Sequence, residues 1–478
     1  MIRKTKILCT LGPATDGREI LKDMILSGMN VARINFSHSN HEEHARRIAV
    51  LKELRDELRL PIGLLADTKG PEIRLGQMEP GTVLTEGQNF TLTPVELTGN
   101  RERASISFAG LAGDVTLGTR ILIDDGLIEL KVKSMMGDDI NCRVIHGGPV
   151  LTRKGLNVPG VQFSMPYISS GDRSDLRFAV RNGFDFVAAS FTRSADDVLR
   201  IREELARLRG DKIRIIAKIE NADGVTNIDS ILRVADGIMV ARGDLGVEVP
   251  LEEIPVIQKK LIKKAYNAGR QVITATQMLE SMVSNPRPTR AESTDVANAI
   301  YDGTSAIMLS GETAAGKFPV EAVRTMATIA QRTEHDIDYK KRFRNRDVDD
   351  IVNVTNAISH ATCTTAHDLD AKAVITVTKS GVTARMISKY RPACPIIGCT
   401  TDPIVQRQMN MSWGVTPLML EEQSNTDELF AAAVKATVEN GLIKDGDLVV
   451  ITTGVPLGIS GTTNLLKVHV VGEVIDKM

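Results

Sequence analysis

The sequence predicts an α/β protein: a (β/α)₈ (TIM) barrel with an inserted small β-barrel lid domain and a C-terminal α/β open-sheet domain. Three observations carry this. Short apolar runs at 7–10, 31–36, 62–66, 184–190, 213–219, 237–241, 271–275 and 305–309 are each followed by a polar cluster and a helical pattern. Strands alternating with helices imply a parallel sheet, and eight such units imply a closed barrel. The gap between the third and fourth runs is far too long for one crossover, and from about residue 351 the alternation resumes with a new rhythm.

Each part has its own signature. The barrel is assigned residues 1–70 and 166–340, split by an insertion at 71–165. The insertion is rich in Gly, Pro, Thr and Val, with short strands expected at 89–93, 119–123 and 128–132. Asp124-Asp125-Gly126 is a hairpin turn signal. Tethered by two chain segments, such a unit is able to move as a lid. The pair Met135-Met136 is expected to pack inside, and the charge-rich stretch 340–347 to be a solvated linker. The last domain, 350–478, pairs helical patterns at 351–367, 382–390, 402–411 and 425–440 with strands at 372–377, 395–399, 414–418 and 447–452, and ends on 468–471.

Composition narrows the function classes. A chain of 478 residues corresponds to about three domains at roughly 150 residues each. A formal net charge of -1 and only 4% aromatics give little for an electrostatic or stacking nucleic-acid binder. Cys9, Cys142, Cys363, Cys394 and Cys399 are odd in number and lack CxxC spacing, which favours free thiols in a reducing compartment. Cys9 reads as a small core residue. The N-terminal apolar run is too short for a signal peptide, and no run of 18 apolar residues exists. A cytoplasmic protein, with no membrane and no nucleic-acid partner, is expected.

The chemistry concentrates where barrel chemistry sits, at the carboxyl ends of the strands. Ile216-Ala217-Lys218-Ile219-Glu220-Asn221 places a cation and an acid two residues apart, on one face of a strand. Two readings stand: an ion pair at a strand tip, or a catalytic lysine beside a metal ligand. Other strand ends add Arg33, Asn35, Ser37 and His38; Asp67, Thr68, Lys69, Glu72 and Arg74; Arg242, Gly243 and Asp244; Thr274 and Thr276; Ser310 and Glu312. Two carboxylates, Glu220 and Asp244, suit Mg²⁺, which keeps waters and substrate oxygens. Arg33, Arg74 and Lys218 suit phosphate. Gly243-Asp244-Leu245 leads toward a helical pattern at 250–265, whose exposed amides suit an anion. Asn35, Ser37, Asp67 and Thr68 offer oxygens from two neighbouring strand ends, or simply cap turns. His38 reads as a base or as a structural loop residue. No GxGxxG or P-loop sequence is present.

These motifs resemble a known family. Val31-Ala32-Arg33-Ile34-Asn35-Phe36-Ser37-His38, Asp67-Thr68-Lys69-Gly70-Pro71-Glu72-Ile73-Arg74, Ala241-Arg242-Gly243-Asp244-Leu245-Gly246, Ile273-Thr274-Ala275-Thr276-Gln277-Met278, Asn285-Pro286-Arg287-Pro288-Thr289-Arg290 and Met308-Leu309-Ser310-Gly311-Glu312 resemble the pyruvate kinases, as does the Lys218 segment. The resemblance runs in order along essentially the whole chain. It implies conversion of phosphoenolpyruvate and ADP to pyruvate and ATP in a cytoplasmic homotetramer. It implies Mg²⁺ (or Mn²⁺) on Glu220 and Asp244, and K⁺ on Asn35, Ser37, Asp67 and Thr68. Lys218 would stabilise the transferring phosphoryl group and Arg33 would contact the phosphate. Gly243, Asp244 and Thr276 would place the carboxylate and reacting carbon, with Thr276 and Ser310 at the proton relay. Asn35, His38, Arg74 and Lys154 would face the nucleotide. An acid at Glu72 goes, in that family, with dependence on a monovalent cation. Ser194 stands where relatives are often basic, which puts a nucleotide contact there in doubt.

In the last domain, Thr376-Val377-Thr378-Lys379-Ser380-Gly381 falls between a strand and a helix. It reads as a phosphate nest or as a plain helix cap. The resemblance implies an allosteric sugar-phosphate or nucleotide effector held by Thr378, Lys379, Ser380 and Thr383, under the loop 454–464. Two other functions compete: a Schiff-base aldolase using Lys218, which needs a depressed lysine pKa, and an inactive metabolite sensor, which needs a lost lysine or metal ligand.

Overall fold

A computed structural model describes residues 2–345, 353–456 and 463–473. Eight parallel strands close into a barrel: Lys6–Thr10, Val31–Asn35, Gly63–Asp67, Phe186–Ala189, Arg214–Ile219, Gly237–Ala241, Gln271–Ala275 and Ala306–Leu309. Apart from Arg33, their middles are apolar because a barrel strand is covered on both faces, and polar residues such as Lys6, Asp67 and Lys218 stand at or near their ends. Alternate residues divide between two cores. Leu8, Val31, Leu65, Phe186, Ile216, Met239, Ile273 and Met308 fill the interior. Ile7, Ala32, Leu64, Val187, Ile215 and Ile238 pack outward against the helical ring.

The insertion forms a seven-stranded sheet and a two-stranded one. Its hairpin of Arg120–Ile123 with Ile128–Met136 turns at Asp124, Asp125 and Gly126, all at positive φ. Met135 and Met136 do not pack. They are 37% and 73% exposed, because the strand runs past the sheet there and Met136 pairs only with Asp139 beside the next turn.

The C-terminal sheet orders its strands as Val415–Met419, Ile396–Thr400, Ala373–Val377, Leu448–Gly454 and Thr463–Val470, with only the last antiparallel. The stretch expected to be a solvated linker contains a helix, Tyr339–Arg344. Its charges have local uses: Lys340 pairs with Asp370, and Arg342 donates to the Tyr301 and Asp302 carbonyls. Residues 346 and 347 of that stretch lie outside the described residues.

The C-terminal unit closes the barrel floor. Met411, fully buried, joins the interior core at the amino ends of the strands. Around it, Asn410 Nδ2 donates to the Asn30 and Pro61 carbonyls (3.0 and 2.8 Å), and Arg407 Nε reaches the buried Asp185 carboxylate at 2.8 Å. The N-terminal segment is tied in as well. Glu334 accepts from the Lys4 and Thr5 amides at 2.8 and 2.6 Å, and Lys6 Nζ donates to the Val415 carbonyl at 2.6 Å. The C-terminal unit thus covers the amino ends of the strands, opposite the rim formed by their carboxyl ends. Met411→Ala is expected to destabilise the protein by about 2–5 kcal/mol, as for other buried methionines. Urea unfolding measures this, and an unchanged midpoint would contradict the plug.

Candidate active site

The strand Arg214–Ile219 ends at the top of the barrel, and Lys218 shares its inward parity with Ile216. The Lys218 ammonium belongs to a residue that is 9% exposed. It lies 2.8 Å from Glu220 Oε1 and 3.1 Å from Asp67 Oδ1, and donates to Ser190 Oγ at 2.9 Å. Burial alone would pull its pKa down. Asp67, Glu220 and Asp244 more than offset this and hold it above its ordinary value. A permanently charged lysine is a poor Schiff-base nucleophile, which removes the support for an aldolase. Lys218, Glu220 and Asp244 are all present, so the condition for an inactive sensor is not met.

Glu220 is fully buried, and burial pushes its pKa up. Its Oε2 accepts from the Phe191 amide at 2.6 Å. Its Oε1 has the Lys218 charge beside it but no hydrogen bond of acceptable geometry. Asp244 is close enough to raise the Glu220 pKa further. Asp67 is held between two cations. Arg33 Nε donates to its Oδ2 at 2.6 Å, and together with Lys218 it overcomes the upward push of burial, so the Asp67 pKa is lowered. Arg33 also donates to Thr10 Oγ1 at 2.8 Å and approaches Ser310 Oγ at 3.5 Å. Of the expected cation-site residues, Asn35 Oδ1 accepts from the Ser37 amide at 3.1 Å, while the Thr68 hydroxyl and carbonyl both bond Ser190.

Gly243 and Asp244 do not lead into the later helix. They lie in the first turn of a short helix of their own, Arg242–Glu248, which begins directly after the sixth strand; a second helix, Ile254–Asn267, follows. The Gly243 amide donates to Thr276 Oγ1 at 2.9 Å, and that hydroxyl donates to the Ala275 carbonyl at 2.7 Å. Thr276 and Gln277 both have left-handed backbones (φ 66° and 53°), a strain of about 1–3 kcal/mol each that ordinarily persists only where surroundings enforce it. Arg242 enforces it here by donating to the Thr276 carbonyl at 2.6 Å while anchored on Asp295. Ser310 is fixed through its amide on Glu312 Oε2 at 2.7 Å.

Between barrel and insertion lies a cleft of about 290 Å³, walled by Glu72, Arg74, Lys154, Asp244 and Glu248 among others. Arg74 is paired with Glu72 at 2.8 Å, and Lys154 with Asp124 at 2.9 Å. Asn35 and His38 are not among its walls, and His38 is exposed with its carbonyl accepting from His44. Ser194 caps the helix Ala195–Arg207 by accepting from the Asp197 amide.

In the C-terminal unit the four expected effector residues sit around the start of the helix Val382–Lys389, capped by Gly381 at φ 75°. Thr378 Oγ1 accepts from the Gly381 amide at 3.0 Å, and the Thr383 and Thr463 hydroxyls are 2.8 Å apart. The Ser380 carbonyl accepts from Arg214 at 3.0 Å. Arg214 begins the same barrel strand that carries Lys218. Residues 457–462 of the loop expected to cover this place lie outside the described residues.

Residues 2–323 match the family model "Pyruvate kinase, barrel domain", and 356–469 match "Pyruvate kinase, alpha/beta domain". The chain belongs to the pyruvate kinase family. A pyruvate kinase of Geobacillus stearothermophilus is 51% identical over 480 residues, spanning 100% of this chain and 82% of that protein. One from Clostridium acetobutylicum is 49% identical over 472 residues, 98% of this chain and 100% of that protein. The crystal structure of a pyruvate kinase from Cryptosporidium parvum superposes with a TM-score of 0.92 at 41% identity, covering 98% of this chain and 96% of that one. As a pyruvate kinase, the enzyme is a phosphotransferase acting on phosphoenolpyruvate and ADP.

Sequence reasoning missed three contributors to the site: Thr10, Ser190 and the Phe191 amide. Each acts through a partner on another strand, and no local motif announces that. Glu248 was missed too. Burial in the cleft wall pushes its pKa up to about 7, so the folded state favours the protonated acid. Its effect on stability is therefore neutral below about pH 4.5, the ordinary value, grows unfavourable as pH rises from there to about 7, and levels off above. Glu248→Gln is expected to raise the melting temperature at pH 8 and not at pH 4; an equal change at both would contradict this.

Proposed function

We propose that the enzyme transfers the phosphoryl group with a divalent cation, Mg²⁺ (or Mn²⁺), held by Glu220 and Asp244, and with K⁺ near Asn35, Ser37, Asp67 and Thr68. The observation that carries the divalent site is the fully buried Glu220, whose Oε1 has the Lys218 ammonium at 2.8 Å beside it, next to a second acid, Asp244, that pushes its pKa up. Two carboxylates completed by substrate oxygens and water suit Mg²⁺. When bound, the cation supplies charge neutralisation at the substrate oxygens.

The residues divide the remaining work. Phosphoryl transfer is mainly positioning and stabilisation of charge on the equatorial oxygens. Lys218, fixed and charged, serves the moving group and then the enolate. Arg33, braced by Asp67 and Thr10, holds the phosphate. Gly243, Asp244 and Thr276 place the carboxylate and the methylene carbon. Proton delivery to that carbon runs through the Thr276 and Ser310 hydroxyls and water, since a threonine hydroxyl alone is a weak acid. Arg74 and Lys154 exchange their present acids, Glu72 and Asp124, for nucleotide phosphates, with Asn35 and His38 nearby as the insertion closes as a lid. Glu72 is the basis for K⁺ dependence.

Regulation extends this reading. A sugar-phosphate or nucleotide effector binds at Thr378, Lys379, Ser380 and Thr383 of a cytoplasmic homotetramer. The contact from Arg214 to the Ser380 carbonyl supports a link, because one strand joins that contact to Lys218. No helix among the described residues is long and apolar enough to cross a membrane.

A coupled assay for pyruvate, with and without Mg²⁺, tests the divalent site; turnover that survives chelation would exclude it. Activity should fall in buffers free of K⁺ and NH₄⁺, and full activity there would sink the monovalent site. Lys218→Met should lower turnover by roughly 10²–10³-fold or more with an unchanged circular dichroism spectrum; near-normal turnover would refute its role.

A further inference from the structure

The fourth barrel strand ends at Ala189, and the next residues, Ser190, Phe191 and Thr192, are where the catalytic pair meets both attachments of the insertion. Ser190 is 2% exposed. Its hydroxyl accepts from Lys218 Nζ at 2.9 Å, and its single proton goes to the Thr68 carbonyl at 2.7 Å or to Asp67 Oδ1 at 3.2 Å. The Phe191 amide holds Glu220 at 2.6 Å. It does so from a left-handed backbone at φ 52°, unusual for a bulky residue. Strain of this kind persists only when neighbours over-determine it.

Those neighbours are the two segments that tether the insertion. On the outgoing side is Gly70, at φ 69°; a Cβ there would lie 3.0 Å from both Ser190 Cβ and the Ser190 carbonyl oxygen, and 3.2 Å from the Phe191 ring. On the returning side is the buried Tyr167, whose hydroxyl donates to the Ser190 carbonyl at 3.0 Å and lies 3.1 Å from Thr192 Oγ1. Both tethers therefore pack directly on the peptide that contacts Lys218 and Glu220.

We infer that Ser190 and Phe191 are positioning residues through which Gly70 and Tyr167, the two tethers of the insertion, set the placement of Lys218 and Glu220. The Ser190 hydroxyl aims the ammonium, the Phe191 amide aims the carboxylate, and closure of the insertion is read out as their alignment. The inference rests on Lys218 and Glu220 acting as proposed above.

A double-mutant cycle tests it. Ser190→Ala should lower kcat about tenfold, and Tyr167→Phe, which keeps the ring and removes only the hydroxyl, should lower it severalfold, both with little change in KM for phosphoenolpyruvate. The double variant should lose clearly less than the product of the two single losses, because both act in part through one peptide. Independent, multiplicative losses would overturn the inference, and so would a lowered melting temperature with unchanged kcat. Should Ser190→Ala fail to fold, Tyr167→Phe stands alone: unchanged kcat defeats the inference. Lys218→Met separates the two levels. If it remains active, the catalytic reading fails; if it is inactive while Ser190→Ala and Tyr167→Phe keep full kcat, only the positioning role fails.

Discussion

The structure depends on pairing Arg33, Asp67, Lys218 and Glu220 with one another at the buried end of a barrel. Each would be intolerable there alone, since an unpaired ion in a protein interior costs many kcal/mol. Together they alternate in sign: Arg33 on Asp67, Asp67 on Lys218, Lys218 on Glu220. Each carboxylate is also tied to another strand end, Asp67 through Ser190 and Glu220 through the Phe191 amide. The pairing sets Glu220 Oε1 against the Lys218 ammonium at 2.8 Å and leaves Asp244 on the cleft wall, so these strand ends present groups whose positions are fixed before any ligand arrives.

The rest of the fold can be understood as support for that cluster. Parallel strands bring residues far apart in sequence to one rim, and the C-terminal unit shuts the other end with Met411. The strained turn at Thr276 is held by Arg242, and the strained turn at Phe191 by the tethers of the insertion. Strain at two strand ends flanking one site is characteristic of positions where geometry serves chemistry rather than stability.

Much of this was legible in advance. The eight apolar runs fall on the eight barrel strands, because strands covered on both faces are largely apolar through their middles. The Asp124-Asp125-Gly126 turn was legible because positive φ at three successive positions selects those residue types. Less local features were not. Met135-Met136 looked like core because hydrophobicity does not reveal where a strand outruns its sheet. The helix Tyr339–Arg344 looked like a linker because its charges find partners only in the folded chain. Gly243 and Asp244 looked like a loop before a helix, because Pro250 drew attention to the later helix start and away from the earlier one.

The sequence by itself determined the order of strands and helices, the interruption after the third strand, and the types of chemical group at each strand end. Periodicity and local turn chemistry encode all of these within a few residues. Only the tertiary structure decided which groups share the rim. Lys218 and Glu220 are near neighbours in any strand, but Asp67, Ser190 and Arg33 reach them through barrel closure. The same holds for the tethers at Gly70 and Tyr167, about a hundred residues apart, which meet on one peptide because a closed sheet leaves them no other place to pack.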